Sequence, residues 1–291
     1  MILHANGPFS YQAMYDFMSV QDDCLYATAE GKVRRAEVFE GKRVLFELSE
    51  SVKSDAVDVE ILYNEGVEER LVREYVADWF DLDYDLERFY DFAASDARFK
   101  EVTRELHGFR MIAYVNIVDV LMWSILGQQI NMKFAFTLKE RLVAHFNHFV
   151  EYDGEKYWIM PSAAELLTLS VEEMREMQIS NRKAEYILNC AEGMKNGVLS
   201  KEHLQSFGDY DEAMAHLTKV KGIGPWSANV VLMRTIKFRH AVPIGDAGLR
   251  NAFRITDGLE VKPTAGYMER IISGWGEFGT YATLYMWRIL G

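Results

Sequence analysis

One carboxylate, Asp246, stands alone in the most basic part of this chain. Between Ala213 and Arg254 there are seven lysines and arginines and no other acidic residue. Just upstream lies the run Leu217-Thr218-Lys219-Val220-Lys221-Gly222-Ile223-Gly224-Pro225-Trp226. Two apolar residues, Leu217 and Val220, end one helix, a Gly-x-Gly turn follows, and a second helix starts at Pro225, where a missing N–H costs nothing. Gly222 and Gly224 are expected to allow positive φ and close backbone approach. The N–H groups at the start of the second helix then point outward, with the positive end of its dipole behind them. That geometry suits a nucleic-acid phosphate held without reading sequence. Lys219 and Lys221 flank the turn and add Coulombic attraction. Asp246 follows Gly224 by 22 residues, so the intervening helix returns the chain to the turn. The same aspartate precedes Ala247-Gly248-Leu249-Arg250 and also reads as an ordinary helix N-cap.

The elements that must position these residues fall into two parts. Ser10 to Val20 reads as an amphipathic helix, with Tyr11, Met14, Tyr15 and Met18 at helical spacing. Short β segments follow at Cys24 to Thr28, Val33 to Glu40, Arg43 to Leu48 and Val57 to Tyr63, punctuated by Glu30-Gly31, Glu40-Gly41 and Asn64-Glu65-Gly66. From Tyr84 onward strand signals nearly vanish. Helices are expected at Asn116 to Leu126, Met132 to Phe146, Ser162 to Leu167, Val171 to Met177 and Asn181 to Asn196. Further ones are expected at Tyr210 to Leu217, Pro225 to Ile236, Asp246 to Phe253, Ala265 to Ile272 and Thr280 to Leu290. The expected fold class is α+β: a small N-terminal antiparallel sheet with helices over residues 1–90, and a larger all-helical domain over 91–291.

Composition bounds the function. The chain has 291 residues, 49% of them hydrophobic, enough for a sizeable core. No apolar run approaches the length of a membrane span, and the N-terminus has no signal-peptide pattern, so a cytoplasmic monomer without membrane contact is expected. Two distant cysteines, Cys24 and Cys190, fit free thiols and exclude a four-cysteine zinc site or iron–sulfur cluster. The seven histidines show no zinc spacing. The net charge of −12 argues mildly against a polyanionic partner. Its distribution argues the other way. Residues 1–210 carry 22 basic and 37 acidic side chains (−15), and residues 211–291 carry 10 and 7 (+3).

The glycine turn and its flanks resemble the helix-hairpin-helix of the DNA glycosylase superfamily. Val242-Pro243-Ile244-Gly245-Asp246-Ala247-Gly248-Leu249-Arg250 resembles that superfamily's aspartate-bearing loop. The nearest resemblance is to bacterial 3-methyladenine DNA glycosylase II, the alkylpurine glycosylases. It extends through Pro8-Phe9-Ser10-Tyr11, Trp79 to Leu86, Ser124-Ile125-Leu126-Gly127-Gln128-Gln129-Ile130 and the aromatic C-terminal helix. The resemblance implies a base-excision enzyme acting on damaged bases in double-stranded DNA. The aspartate matching Asp246 acts on the sugar as the N-glycosidic bond breaks, by stabilising an oxocarbenium-like charge or by positioning a water.

The resemblance also assigns roles to other residues. Bifunctional members carry a lysine two residues after the second hairpin glycine, whose amine attacks the sugar. Here that position is Trp226, so a monofunctional enzyme is expected. Trp226 would line the base pocket, with Phe278 and Phe17, where aromatic faces attract a cationic alkylpurine by about 0.5–2 kcal/mol; equally, Trp226 is a candidate core residue. Around Phe278 the chain lacks the Pro and Arg often found there. Gln129 matches the residue that fills the gap left by a flipped nucleotide, although Gln128 and Gln129 could instead cap helix ends. Carbonyls of Thr218, Val220 and Ile223 match a structural monovalent-cation site, and no other cofactor is implied. The alternatives are a non-catalytic hairpin damage sensor, and a glycosylase of the same superfamily specific for oxidised or deaminated bases.

Overall fold

The computed structural model describes residues 1–290. The chain opens with Ile2–His4 (β1) and the helix Tyr11–Ser19 (α1), capped by Ser10, whose hydroxyl accepts from Ala13 N. Strands Ala27–Ala29 (β2), Lys32–Phe39 (β3), Lys42–Glu50 (β4) and Ala56–Asn64 (β5) complete an antiparallel sheet in the order β1-β5-β4-β3-β2. The expected strand from Cys24 is thus shorter and later, and β1 was not anticipated. Three helices follow, Glu69–Trp79 (α2), Leu86–Ala93 (α3) and Lys100–Glu105 (α4). Then come the apolar pair Ile117–Leu126 (α5) and Met132–His145 (α6).

Strand structure does not end at Tyr84. Phe149–Tyr152 (β6) and Glu155–Trp158 (β7) form a hairpin. Its two-residue turn, Asp153-Gly154, takes positive φ at both positions (54° and 80°), the geometry that matches strand twist. The remaining elements are helical: Ala163–Leu166 (α7), Val171–Glu176 (α8), Asn181–Lys195 (α9), Lys201–Ser206 (α10), Tyr210–Thr218 (α11), Pro225–Val231 (α12), Ala247–Thr256 (α13), Ala265–Ile272 (α14) and Gly279–Arg288 (α15). The expected helix from Pro225 to Ile236 is α12 followed by a π turn over Leu232–Ile236, which ends with Lys237 left-handed at φ 63°.

Strand alternation builds a sheet covered on both faces. Val44, Phe46 and Leu48 of β4 enter the largest apolar core, with Met14 and Met18 of α1 and Val72, Tyr75, Val76 and Trp79 of α2. Leu45 points the other way and packs with Ala36 against Val150 and Tyr157 of the β6–β7 hairpin. The largest core takes residues from both sides of residue 90: Phe253 of α13 and Tyr281 and Tyr285 of α15 belong to it with the sheet. A second core gathers α5, α6 and α7 to α12. Cys190 is buried in it, and Cys24 is a second free thiol. Among the described residues no helix is long and apolar enough to cross a membrane, and no group of three or more His, Cys, Asp or Glu side chains could hold a metal ion.

Buried charge joins these parts. Lys139 of α6 is fully buried between Asp119 of α5 (2.7 Å) and Asp23 (3.0 Å). Arg35 of β3 pairs with Glu37 (2.7 Å) and stacks on Trp79. Asp81 accepts from both Arg239 nitrogens (2.6 and 2.9 Å) and from the Tyr281 hydroxyl (2.9 Å), and Lys237 stands 2.9 Å away. Burial alone would raise the Asp81 carboxyl, but the Arg239 hydrogen bonds and the Lys237 and Arg239 charges outweigh it and hold it at about 2. The folded-state value lies below the ordinary 3.8, so the stabilisation is complete above that value and lost as pH falls through about 2. It amounts to roughly 2 kcal/mol. Asp81→Asn is therefore expected to lower the unfolding free energy at neutral pH by about 2 kcal/mol, since it leaves the half-buried Arg239 without a carboxylate, while Lys237 keeps Asp78. Urea unfolding at a series of pH values should show the gap from wild type closing between about pH 4 and pH 2.

Candidate active site

The hairpin forms where α11 gives way to α12. Asp209 caps α11 by accepting from Glu212 N (3.0 Å), and Leu217 is fully buried in its last turn. Gly222 in the turn has φ +112°, and a Cβ there would stand 2.6 Å from Cβ of Tyr186 on α9. Both the backbone angle and the contact demand glycine. Gly224 departs from the expectation. Its φ is −86°, open to any residue, and nothing lies within 4 Å of where its Cβ would be. Positive φ belongs to Gly222 alone, and what Gly224 provides is clear space in front of the first N–H groups of α12.

Beside the turn is a cleft of about 500 Å³. It is lined by Thr218, Val220, Lys221, Gly222, Ile223 and Gly224 of the hairpin, by Ser180, Arg182, Lys183 and Tyr186 of the α9 start, by Gln128 and Gln129, and by Trp226. Lys219 is exposed outside that lining. Gln128 Nε2 donates to the Gly222 carbonyl (3.1 Å), which ties the α5–α6 turn to the hairpin. Lys183 Nζ donates to the last carbonyl of α5, Leu126 O (2.7 Å), and burial lowers its amine from the ordinary lysine range. Gln129 is the exposed tip, with φ 57°, a left-handed conformation that costs a non-glycine residue about 1–2 kcal/mol.

Asp246 is both a helix cap and something more. Oδ1 accepts from Leu249 N (2.7 Å), as an N-cap of α13 should. Oδ1 also accepts from Trp287 Nε1 (2.9 Å), and Oδ2 accepts from Trp226 Nε1 (2.9 Å). A carboxylate has about four lone-pair directions, so two indoles and one backbone amide fix its plane and leave Oδ2 able to take a further partner. Gly248 makes this possible. A Cβ on it would come within 3.0 Å of Asp246 Oδ1 and 3.4 Å of Trp287 Cδ1. Trp287 was not singled out from the sequence; the small residue two positions after Asp246 is the local signal that something bulky approaches.

Comparisons with known proteins give the family of the chain that carries this carboxylate and hairpin. Residues 122–277 fit the family described as HhH-GPD superfamily base excision DNA repair protein, and residues 10–121 fit the 8-oxoguanine DNA glycosylase, N-terminal domain. The chain belongs to the HhH-GPD superfamily. A Bacillus subtilis (strain 168) protein named DNA-3-methyladenine glycosylase is 34% identical over 274 residues, 93% of this chain and 90% of that one. DNA-3-methyladenine glycosylase 2 of Escherichia coli (strain K12) is 23% identical over 62% of this chain and 60% of its own length. The solved structure of a 3-methyladenine DNA-glycosylase from Archaeoglobus fulgidus shares the fold, with TM-score 0.85, 23% identity and coverage of 99% and 97%. So does a Clostridium acetobutylicum 8-oxoguanine glycosylase/lyase in complex with DNA, with TM-score 0.76, 18% identity and coverage of 97% and 91%.

In this HhH-GPD chain the two other expected pocket aromatics are not free faces beside Asp246. Phe278 stacks on Phe92 with centroids 4.7 Å apart. It stands nine residues before Trp287, which places it about 13 Å away along α15. Phe17 lies nearer the other end of α15, edge-on to Phe109 (5.6 Å), and its face is covered by the Arg288 guanidinium at 4.9 Å.

The basic segment is also used differently from its charge count. Arg239 and Lys237 serve Asp81, Arg234 donates to Ile112 O, Arg250 to Pro263 O (2.9 Å) and Arg254 to Asn251 (3.1 Å). Lys219 and Lys221 stay at the surface, and Lys221 is 3.0 Å from Glu185. Arg182, at the α9 start, has no acidic partner among the described residues; its Nε donates to the Tyr186 hydroxyl (2.6 Å). The two hairpin glycines should therefore separate on mutation. Gly222→Ala is expected to lower stability by about 2 kcal/mol or more, because it adds backbone strain to a clash. Gly224→Ala should leave the thermal midpoint nearly unchanged and weaken binding to abasic-site DNA. Thermal melts and fluorescence anisotropy of the two variants check this.

Proposed function

We propose that this chain is a monofunctional DNA glycosylase that turns alkylated purines of the 3-methyladenine and 7-methylguanine kind out of duplex DNA and hydrolyses their glycosidic bond. The observation that carries the reading is Asp246, held rigid at the hairpin by Trp226 and Trp287. An alkylated purine is already cationic and leaves with the electron pair of its glycosidic bond, so the base needs little acid catalysis. The deoxyribose left behind is oxocarbenium-like, and a carboxylate already fixed by two indoles stabilises it without reorganising. Water then bonds to the sugar carbon and loses a proton. Oδ2, with one direction open, can face either the sugar or that water.

Two further features support the reading. A lyase needs an amine at the sugar, and the residue beside Asp246 is an indole. The amines lining the cleft are engaged elsewhere, Lys183 by Leu126 O and Lys221 by Glu185. Gln129, exposed and strained at the tip of the α5–α6 turn, suits insertion into the stack when the target nucleotide is extruded, a step costing a few kcal/mol. Thr218, Val220 and Ile223 line the cleft, and their main-chain carbonyls would offer an all-oxygen donor set to a monovalent cation, adding positive charge beside a DNA phosphate. The match of residues 10–121 to the 8-oxoguanine DNA glycosylase N-terminal domain favours oxidised purines as the second reading. Release from an 8-oxoguanine duplex tests it.

Asp246→Asn is expected to abolish release of 3-methyladenine from methylated DNA, by about a thousandfold, while binding to abasic-site DNA persists; unchanged release would refute the assignment. Borohydride with abasic DNA should trap no covalent adduct. Trp287→Phe removes one donor and keeps the ring. It should slow single-turnover release about ten- to a hundredfold with little change in DNA affinity or melting temperature.

A further inference from the structure

We infer that Gln128 is a positioning residue that locks the Gln129 turn to the hairpin amides, so that the backbone grip and the side chain entering the stack act at one fixed separation. This rests on the glycosylase reading above and names how its two contacts with DNA are kept in step.

Gln128 has no duty at the helix ends. The last carbonyl of α5, Leu126 O, takes Lys183 Nζ at 2.7 Å. The first turn of α6 is capped by Asn131, whose side chain accepts from Phe134 N at 2.9 Å. Gln128 is half-buried and sends its amide to Gly222 O at 3.1 Å, while its neighbour Gln129 is the exposed, left-handed tip. A carbonyl only accepts, so the amide nitrogen is the atom that must face it.

The bond falls where the hairpin most needs holding. Beside a glycine at positive φ, the adjoining peptide plane turns at little cost. The peptide after Gly222 carries Gly222 O at one end and Ile223 N–H at the other. Gln128 holds the oxygen, and Val220 O accepts from Ile223 N at 3.0 Å. Tyr186 closes the Cα side, where a Cβ would stand 2.6 Å from its own Cβ. Two residues on, Gly224 leads into α12 with nothing within 4 Å of its Cβ position. The direction of the amides at that helix start follows from the plane of the Gly222 peptide. Losing Gln128 frees the plane, and with it the amides that would hold the phosphate.

The other end of the tie is the wedge turn. A non-glycine residue at φ 57° persists only where its surroundings over-determine it. Lys183 and Asn131 fix the two flanking helix ends, and the Gln128 hydrogen bond fixes the tip itself relative to the hairpin. A duplex held by one phosphate and entered by one side chain has two contacts to satisfy together. A misplacement of about 1 Å between them costs about a hundredfold in rate.

Gln128→Met keeps the length of the side chain and removes the donor. The probe is a duplex with a tetrahydrofuran abasic-site analogue and 2-aminopurine opposite it. Anisotropy gives affinity, and stopped-flow 2-aminopurine fluorescence gives the rate at which the orphaned base is unstacked. Gln128→Met should stay within about threefold of wild type in affinity and slow the fluorescence change about tenfold. Gln129→Ala should slow it as well. Adding Gln128→Met to Gln129→Ala should then cost less than about twofold more, because no wedge is left to aim. Melting temperatures are read alongside, and Gln128→Ala takes the place of the methionine variant should that one melt early. Folded Gln128 variants with the wild-type rate, effects of the two glutamines that simply multiply, or a Gln129→Ala variant with the wild-type signal would each overturn the inference. Wild-type protein that binds the abasic duplex no better than an intact one would instead overturn the glycosylase reading itself.

Discussion

The carboxylate of Asp246 joins three pieces of chain that are far apart in sequence. It caps α13, it takes the indole N–H of the hairpin residue Trp226, and it takes that of Trp287 near the end of α15. Each partner is itself anchored. Trp226 starts α12, whose following residues are buried in the second core, and α15 is buried along most of its length in the first. The carboxylate is thus a pin between two apolar cores, whatever chemistry it performs. Removing its charge disturbs both, which is why a clean reading of its role needs a variant such as Trp287→Phe beside the direct replacement.

The same coupling explains why the small sheet and the helical part behave as neighbours. Asp81, at the end of the segment that follows α2, holds Arg239 and Lys237, the residues that lead into the Asp246 loop. Tyr281 of α15 donates to the same carboxylate. One buried acid therefore fixes the approach to the loop and the helix that delivers Trp287. Three positive groups and dipoles converge on it, enough to outweigh its desolvation. Behind the sheet, the Lys139–Asp119 pair ties α6 to α5, and Arg35 of β3 stands 3.7 Å from the same Asp119, so β3 and both helices that flank the Gln129 turn share one buried carboxylate.

Much of this was legible in the sequence wherever the signal was local. The hairpin was visible in Leu217 to Ala228 because glycine, proline and apolar spacing act over one turn. Asp246 was visible because it breaks a basic run. Residues recognised only through long-range contact were not. Trp287 lies 41 positions from the carboxylate it serves, and an aromatic on a C-terminal helix is indistinguishable from core until the fold is closed. Phe278 is the reverse case, a matching residue type in a matching segment whose ring stacks on Phe92, a partner the sequence does not reveal. The β6–β7 hairpin did have a signal, Asp153-Gly154 between Tyr152 and Tyr157, hidden by the helical character of everything around it.

Charge was the least faithful guide. The seven cations that made the segment stand out look like a surface for a polyanion, yet most of them are turned inward to acids, carbonyls and amides of the fold. A chain with net charge −12 does not meet DNA through a broad basic face. In the proposed function it would do so through a few points: the amides left clear by Gly224, the hairpin lysines, and the guanidinium of Arg182 across the cleft. Backbone amides at a helix start hold a phosphate by geometry, and their contribution is screened by salt less than that of exposed lysines. Local rigidity, set by the buried ion pairs and by the close fit of Gly222 against Tyr186, then does what a larger positive field does elsewhere. In the proposed function it would place one phosphate so that the sugar beside it arrives at a carboxylate already held by two indoles.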